Sequence, residues 1–125
     1  MTGKILLIIG GVYHLLFAIF HLFWPKLFQW DKNLSSLDEI NRQLMPIMSG
    51  LFIYIYIVIF IMSSFFSESI IGNSLGNVFL LSIAGFWFLR AGMQIVYYGL
   101  KEKAAVVFFI IFIAGIGLYT IPAII

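Results

Sequence analysis

The chain has 125 residues, 63% of them hydrophobic and only 10% charged, against roughly 25% charged in an average soluble domain. A soluble fold this small needs charge to cover its surface, so the deficit excludes a cytosolic enzyme, a disordered tail and a nucleic-acid-binding module. The net charge of +2 comes from seven Lys/Arg against five Asp/Glu with no basic cluster and implies no acidic polymer as partner; the absence of cysteine removes disulfides, thiolate-bound zinc, iron–sulfur clusters and thiol redox chemistry.

Crossing a bilayer takes about 20 mostly apolar residues, and four runs reach that length. The first, residues 5–24, is stopped by Pro25. It is longer than the apolar region of a signal peptide, carries two histidines and is followed by no small-residue cleavage site, so it reads as a retained helix. Lys26 to Trp30 follows as a short amphipathic segment lying in the headgroup layer, with Trp24 and Trp30 as its interfacial anchors. Ser36 and Glu39 have the spacing of a capping box, so the second helix is expected over 37–66, with Pro46 inside it. Ser67 to Asn77 is a polar loop. The third helix is expected over 78–100, stopped by Lys101-Glu102-Lys103, and the fourth over 104–125. The turn between these two is short enough to make them antiparallel neighbours. The expected fold is an all-α membrane protein. One domain spans 1–125 as a four-transmembrane-helix antiparallel bundle, with a short interfacial segment after helix one.

Basic residues orient such a bundle. Lys26, Lys32, Arg42, Lys101 and Lys103 fall on one side and Lys4 alone on the other. Both basic linkers are therefore expected in the cytoplasm and both termini outside it.

Polar residues inside the spans are costly, about 2.5–3.5 kcal/mol for a charged one at mid-helix, and usually face the bundle interior. Here they recur at seven-residue spacing, which returns to nearly the same helix face. Helix one carries His14 and His21. Helix two carries Arg42, Ser49, Tyr56 and Ser63, with Asn41 beside the stripe. Helix three carries Arg90 and Tyr97, with Gln94 between them and Trp87 one turn earlier. Counting along antiparallel helices sets His14, Tyr56 and Arg90 near the midplane and His21, Ser49 and Gln94 nearer the cytoplasm. Together they form a polar seam open toward that side. Gly85, Gly92 and Gly99 form a separate small-residue stripe suited to close packing, within the chain or between chains of a homo-oligomer or a larger membrane complex. Helix four offers little besides Tyr119 and Thr120.

The seam has no carboxylate, so Arg90 must be satisfied by neutral acceptors, water, or a bound anionic or carbonyl-bearing ligand. Two readings follow: a site for an anion, quinone or fatty acid formed by His14, His21, Ser49, Tyr56, Arg90 and Gln94, or interhelical polar glue in an accessory structural subunit. His14 and His21 lie about 10 Å apart along the helix and cannot share one metal. Each could supply one axial ligand to a haem, which leaves haem or quinone as possible cofactors of a redox membrane protein. Asn41 and Arg42, at the start of helix two, could meet a lipid headgroup phosphate or simply be solvated. Met45 and Met48 read as packing. No nucleophile–base–acid set accompanies Ser49, Ser63 or Ser64, so no catalytic residues are expected.

Gly10-Gly11 in helix one, the Pro25-Lys26-Leu27-Phe28 exit, and Arg90 with Gly92 in helix three make the chain similar in layout to small bacterial inner-membrane proteins of the DoxX-like kind. It departs from them in helix one, which carries His14 and His21 in place of the usual basic residue. The stretch from Tyr13 to Met48, with His14, His21, Trp30, Asn41 and Arg42, also resembles a family of uncharacterised bacterial membrane proteins. These resemblances imply a four-helix fold in a bacterial inner membrane and a quinone- or respiration-linked role.

Overall fold

Each apolar run is helical in the computed structural model, which describes residues 2–125. The first forms α1, Thr2–Leu22. It ends two residues before the expected Trp24, and the chain turns at Phe23 into a single helical turn, α2, Trp24–Leu27, with Pro25 in its first turn, where its missing N–H costs nothing. A second short turn, α3, Trp30–Asn33, is entered through Gln29 in the left-handed conformation, φ 49°. Trp30 is buried against the protein in this segment.

The long second helix, α4, spans Glu39–Phe65. Its cap is Asp38, whose Oδ1 accepts from the Asn41 N–H at 3.0 Å. Ser36, the expected cap, instead donates to the Asn33 carbonyl within a 3-10 turn, so the capping box does not form. A carboxylate at that position also complements the positive helix end. Replacing Asp38 by alanine is expected to cost about 1 kcal/mol, read as faster amide exchange in the first turn of α4.

The expected polar loop contains a helical turn, α5, Ser67–Ile70, and then Gly72 at φ 85°. Asn73 caps α6, Ser74–Met93, by accepting from the Gly76 N–H at 2.7 Å, so this helix starts four residues earlier than expected. Gln94–Tyr98 continue it as a π turn, closed by Gly99 N–H donating to the Gln94 carbonyl at 2.8 Å, with Gly99 at φ 73°. The last helix, α7, is Lys103–Ile124. Thr2–Leu22, Glu39–Phe65, Ser74–Tyr98 and Lys103–Ile124 are the four helices long and apolar enough to cross a membrane. That is the pattern of a multi-pass membrane protein.

Close backbone contact links α1 to α4, α1 to α7 and α6 to α7. Glycines permit it. A Cβ on Gly11 would collide with the Ser64 side chain, and one on Gly10 would stand 2.7–2.8 Å from the Tyr119 ring. Gly115 gives the same room to Tyr13 and Trp87. By contrast, α4 and α6 meet through rings: Tyr56 stacks on Trp87 at 6.0 Å and Phe52 meets Phe86 at 6.3 Å. The expected glycine stripe does not pack inside the chain, since no atom lies within 4 Å of a Cβ on Gly85, Gly92 or Gly99. Spacing makes room for a neighbour without supplying one.

One ion pair occurs among the described residues, Lys4 Nζ to Glu68 Oε1 at 2.9 Å, tying the start of α1 to α5 on an exposed edge. The Lys4 hydrogen bond and charge hold the Glu68 carboxyl below its ordinary value. The depressed value means the pair contributes above the ordinary carboxylate range and is lost as pH falls through the folded value. In Lys4→Gln the Glu68 carboxyl resonance should titrate at a higher pH than in the wild type; an unmoved titration would mean the pair does not form in solution.

Candidate functional site

The polar residues of the spans sort into a closed network and an incompletely satisfied cluster beside it. The network is centred on His14, which is 0% exposed. Trp87 Nε1–H donates to His14 Nε2 at 3.0 Å. An indole nitrogen can only donate, so Nε2 is the acceptor and the neutral ring carries its proton on Nδ1. That proton is given to the Gly10 carbonyl at 2.8 Å. Tyr119 Oη lies 3.2 Å from the same nitrogen and 2.8 Å from Ser63 Oγ. With Nδ1 already protonated, Tyr119 Oη accepts a share from it and shares a second hydrogen bond with the Ser63 hydroxyl. All four long helices thus meet at one histidine, and both of its nitrogens are in use. A haem ligand needs a free imidazole nitrogen, which His14 does not offer. The network's chemistry is that of a structural lock.

Tyr119, Trp87 and Ser63 complete this lock and were not among the expected site residues. Ser63 belongs to the α4 stripe that also carries Ser49 and Tyr56. Trp87 and Tyr119 are aromatic residues whose polar tips become visible only when a buried partner is known. Tyr119 stood out in the sequence only as one of two polar residues of helix four; the residue that makes room for it is Gly10 on α1.

The second cluster lies one turn further along α6. His21 donates from Nδ1 to the Phe17 carbonyl at 2.9 Å, which fixes its tautomer, and its ring stacks on Trp24 at 3.9 Å. Tyr56 stands edge-on to His21 at 5.2 Å. Arg90 is half-buried, with its guanidinium 4.5 Å above the Phe112 ring and 5.9 Å from Tyr98. The depth count set Arg90 level with His14; Trp87 takes that level, and Arg90 lies one helical turn beyond it on α6. Arg90 Nη1 donates to Gln94 Oε1 at 3.2 Å, and Gln94 Nε2 reaches the Ala105 carbonyl at 3.4 Å. Gln94 opens the π turn, a departure from regular helix frequent at functional sites.

A guanidinium has five N–H donors; Gln94 takes one, and no carboxylate comes within ion-pair reach of Arg90. Trp24 Nε1 is a further buried donor with no partner. The cluster is therefore rich in donors and short of acceptors. It is also packed shut, not open: His21 is 5% exposed, Ser49 6%, Tyr56 4% and Gln94 4%. Ser49 is buried on α4 and makes no hydrogen bond to this cluster. Asn41 and Arg42 are exposed at the start of α4, away from it. Among the described residues no three of His, Asp and Glu converge as metal ligands. No family model matches the chain, and no curated protein or solved structure does.

Proposed function

We propose that this chain is a four-helix antiparallel bundle of a bacterial inner membrane, with both termini outside the cytoplasm. Its Arg90 cluster binds the head of a small anionic or acceptor-rich ligand, of the class of an anion, a quinone or a fatty acid. Arg90 supplies the charge, His21, Tyr56 and Gln94 line the position, and the His14 lock holds the four helices around it. The DoxX-like layout and a quinone link belong to this reading. Asn41 and Arg42 sit where α4 leaves the membrane and meet lipid phosphate there.

The observation that carries the reading is a guanidinium inside a span with one hydrogen bond to protein and no counter-charge. A half-buried charge so placed in a span is costly, and an acceptor from a ligand relieves it. The test is a tryptophan-fluorescence titration of purified protein with oleate, a short-chain ubiquinone and inorganic phosphate as probes. One probe should saturate on the wild type and bind about 10–100-fold more weakly to Arg90→Leu, the worth of a charge-assisted hydrogen bond. Arg90→Lys should keep part of the affinity. Equal binding by wild type and Arg90→Leu, with helicity unchanged in both, would overturn the proposal.

A second reading, an accessory subunit of a larger membrane complex, is favoured by α4. Of its 27 residues only Ser49, Tyr56 and Ser63 are buried. It expects co-purification with a fixed partner and no saturable probe.

A further inference from the structure

An apolar groove of about 400 Å³ runs between α1 and α7 on the side away from α4 and α6, walled by Leu16, Phe17, Phe20, Phe108 and Ala114. Its one polar wall atom is already used, since Tyr13 Oη donates to the Ile111 carbonyl at 2.7 Å. The groove therefore offers surface to an alkyl chain and nothing to a polar group. Its two ends differ. Phe20 and Phe108, their ring centroids 5.7 Å apart, line one end. Immediately beyond them α1 finishes and α7 begins, so Lys26, Lys101 and Lys103, all exposed, lie at that end. Glu102 stands between Lys101 and Lys103, and Asp31 follows Lys26 in the connection after α1. The other end, at Tyr13 and Ala114, lies mid-helix and carries no charge.

We propose that this groove seats an acyl chain of an anionic phospholipid, whose phosphate is held by Lys26, Lys101 and Lys103. An apolar slot with a cationic mouth matches an amphiphile of that polarity and in that orientation. A second copy of the chain is the other candidate occupant, and charge disfavours it. A twofold pairing through this groove brings the same three lysines of each copy to the same level, where like charges repel.

The test is native mass spectrometry of the whole protein in mild detergent, titrated with phosphatidylglycerol or phosphatidylcholine of identical acyl chains. The wild type should retain one phosphatidylglycerol at least tenfold more readily than phosphatidylcholine. Ala114→Phe fills the groove and should lose the retained lipid. Lys101→Gln with Lys103→Gln leaves the groove intact and should abolish the preference for phosphatidylglycerol, which keeps the test decisive if Ala114→Phe does not fold. Arg90→Leu should change neither result, which separates this site from the Arg90 cluster. Unchanged retention in Ala114→Phe, no headgroup preference in the wild type, or a dimer that Ala114→Phe dissolves would each overturn the proposal.

Discussion

Replacing His14 by alanine should destabilise the protein by about 3 kcal/mol, the largest loss expected from any single polar residue of the spans. Two effects add. The imidazole is wholly buried against Trp87, Tyr56 and Tyr119, so its removal leaves a cavity that rigid rings cannot close. The Trp87 N–H also loses its acceptor at 3.0 Å and becomes a buried orphan, at a cost of about 1–3 kcal/mol. The hydrogen bonds alone are the smaller part, since interhelical bonds in membranes average about 0.6 kcal/mol in double-mutant cycles. His14→Phe refills most of the volume but still orphans Trp87, so it should fall between wild type and His14→Ala. A cycle of His14→Phe with Trp87→Phe should show coupling, because the second change removes the orphan left by the first. Denaturation in mixed micelles reads all four proteins. A His14→Ala variant within 0.5 kcal/mol of wild type, itself about the noise of a neutral surface change, would mean the lock does not form.

Glycines supply the second large effect, and its sign depends on position. In Gly10→Ala the added methyl meets three atoms of the Tyr119 ring at 2.7–2.8 Å. That ring cannot yield without losing its bonds to Ser63 and His14. Overpacking of this kind costs about 1–3 kcal/mol, and removal of a mid-helix glycine returns about 1 kcal/mol at most. The net loss should be about 1–2 kcal/mol. Gly85→Ala and Gly92→Ala meet nothing within 4 Å and should be neutral or stabilising by up to about 1 kcal/mol. The same denaturation experiment compares the three variants. A loss at Gly85 or Gly92 would show that another chain covers that face of α6.

Most of the architecture was legible because the bilayer's demands are written in long apolar runs. Length and hydropathy found all four spans, and errors were confined to their ends. Those ends depend on a few local bonds: Asp38 outcompeted Ser36 for the cap of α4, and Asn73 started α6 within an expected loop. The seven-residue spacing marked interior faces at His14, His21, Ser49, Tyr56 and Ser63, which are buried, but not at its ends, where Arg42 and Tyr97 are exposed. It did not show how deep each residue lies, because the π turn and the different starts of the helices shift the register between them. Trp87, not Arg90, therefore meets His14. Trp87 and Tyr119 were named on their helices but not assigned to the site, because the use of their polar tips shows only once the buried His14 partner is known. The glycine stripe on α6 finds no neighbour inside the chain, which leaves packing between chains: small residues permit close approach wherever they recur, and only the folded chain shows which of them a neighbour uses.

Under the proposed ligand role, the split between the two clusters assigns that role to Arg90 and not to His14. His14 is satisfied at both nitrogens by protein groups and has nothing left to offer. Arg90, three residues along α6 from Trp87, has one protein acceptor and a ring beneath it. The polar residues of the spans thus divide into a lock that fixes the helices and a charge that the fold leaves underused. A role for the charge in holding a ligand is the simplest use of that arrangement.

The most direct measurement is the native mass spectrum of the protein taken from its membrane in mild detergent, comparing wild type, Arg90→Lys, Arg90→Leu and Ala114→Phe. Apart from the phospholipid of the α1–α7 groove, the expected spectrum shows one further anionic or carbonyl-bearing species on the wild type and on Ala114→Phe. That species should be reduced on Arg90→Lys and missing from a folded Arg90→Leu. A wild type free of any such species, or one that persists undiminished in Arg90→Leu, would contradict a ligand site at Arg90.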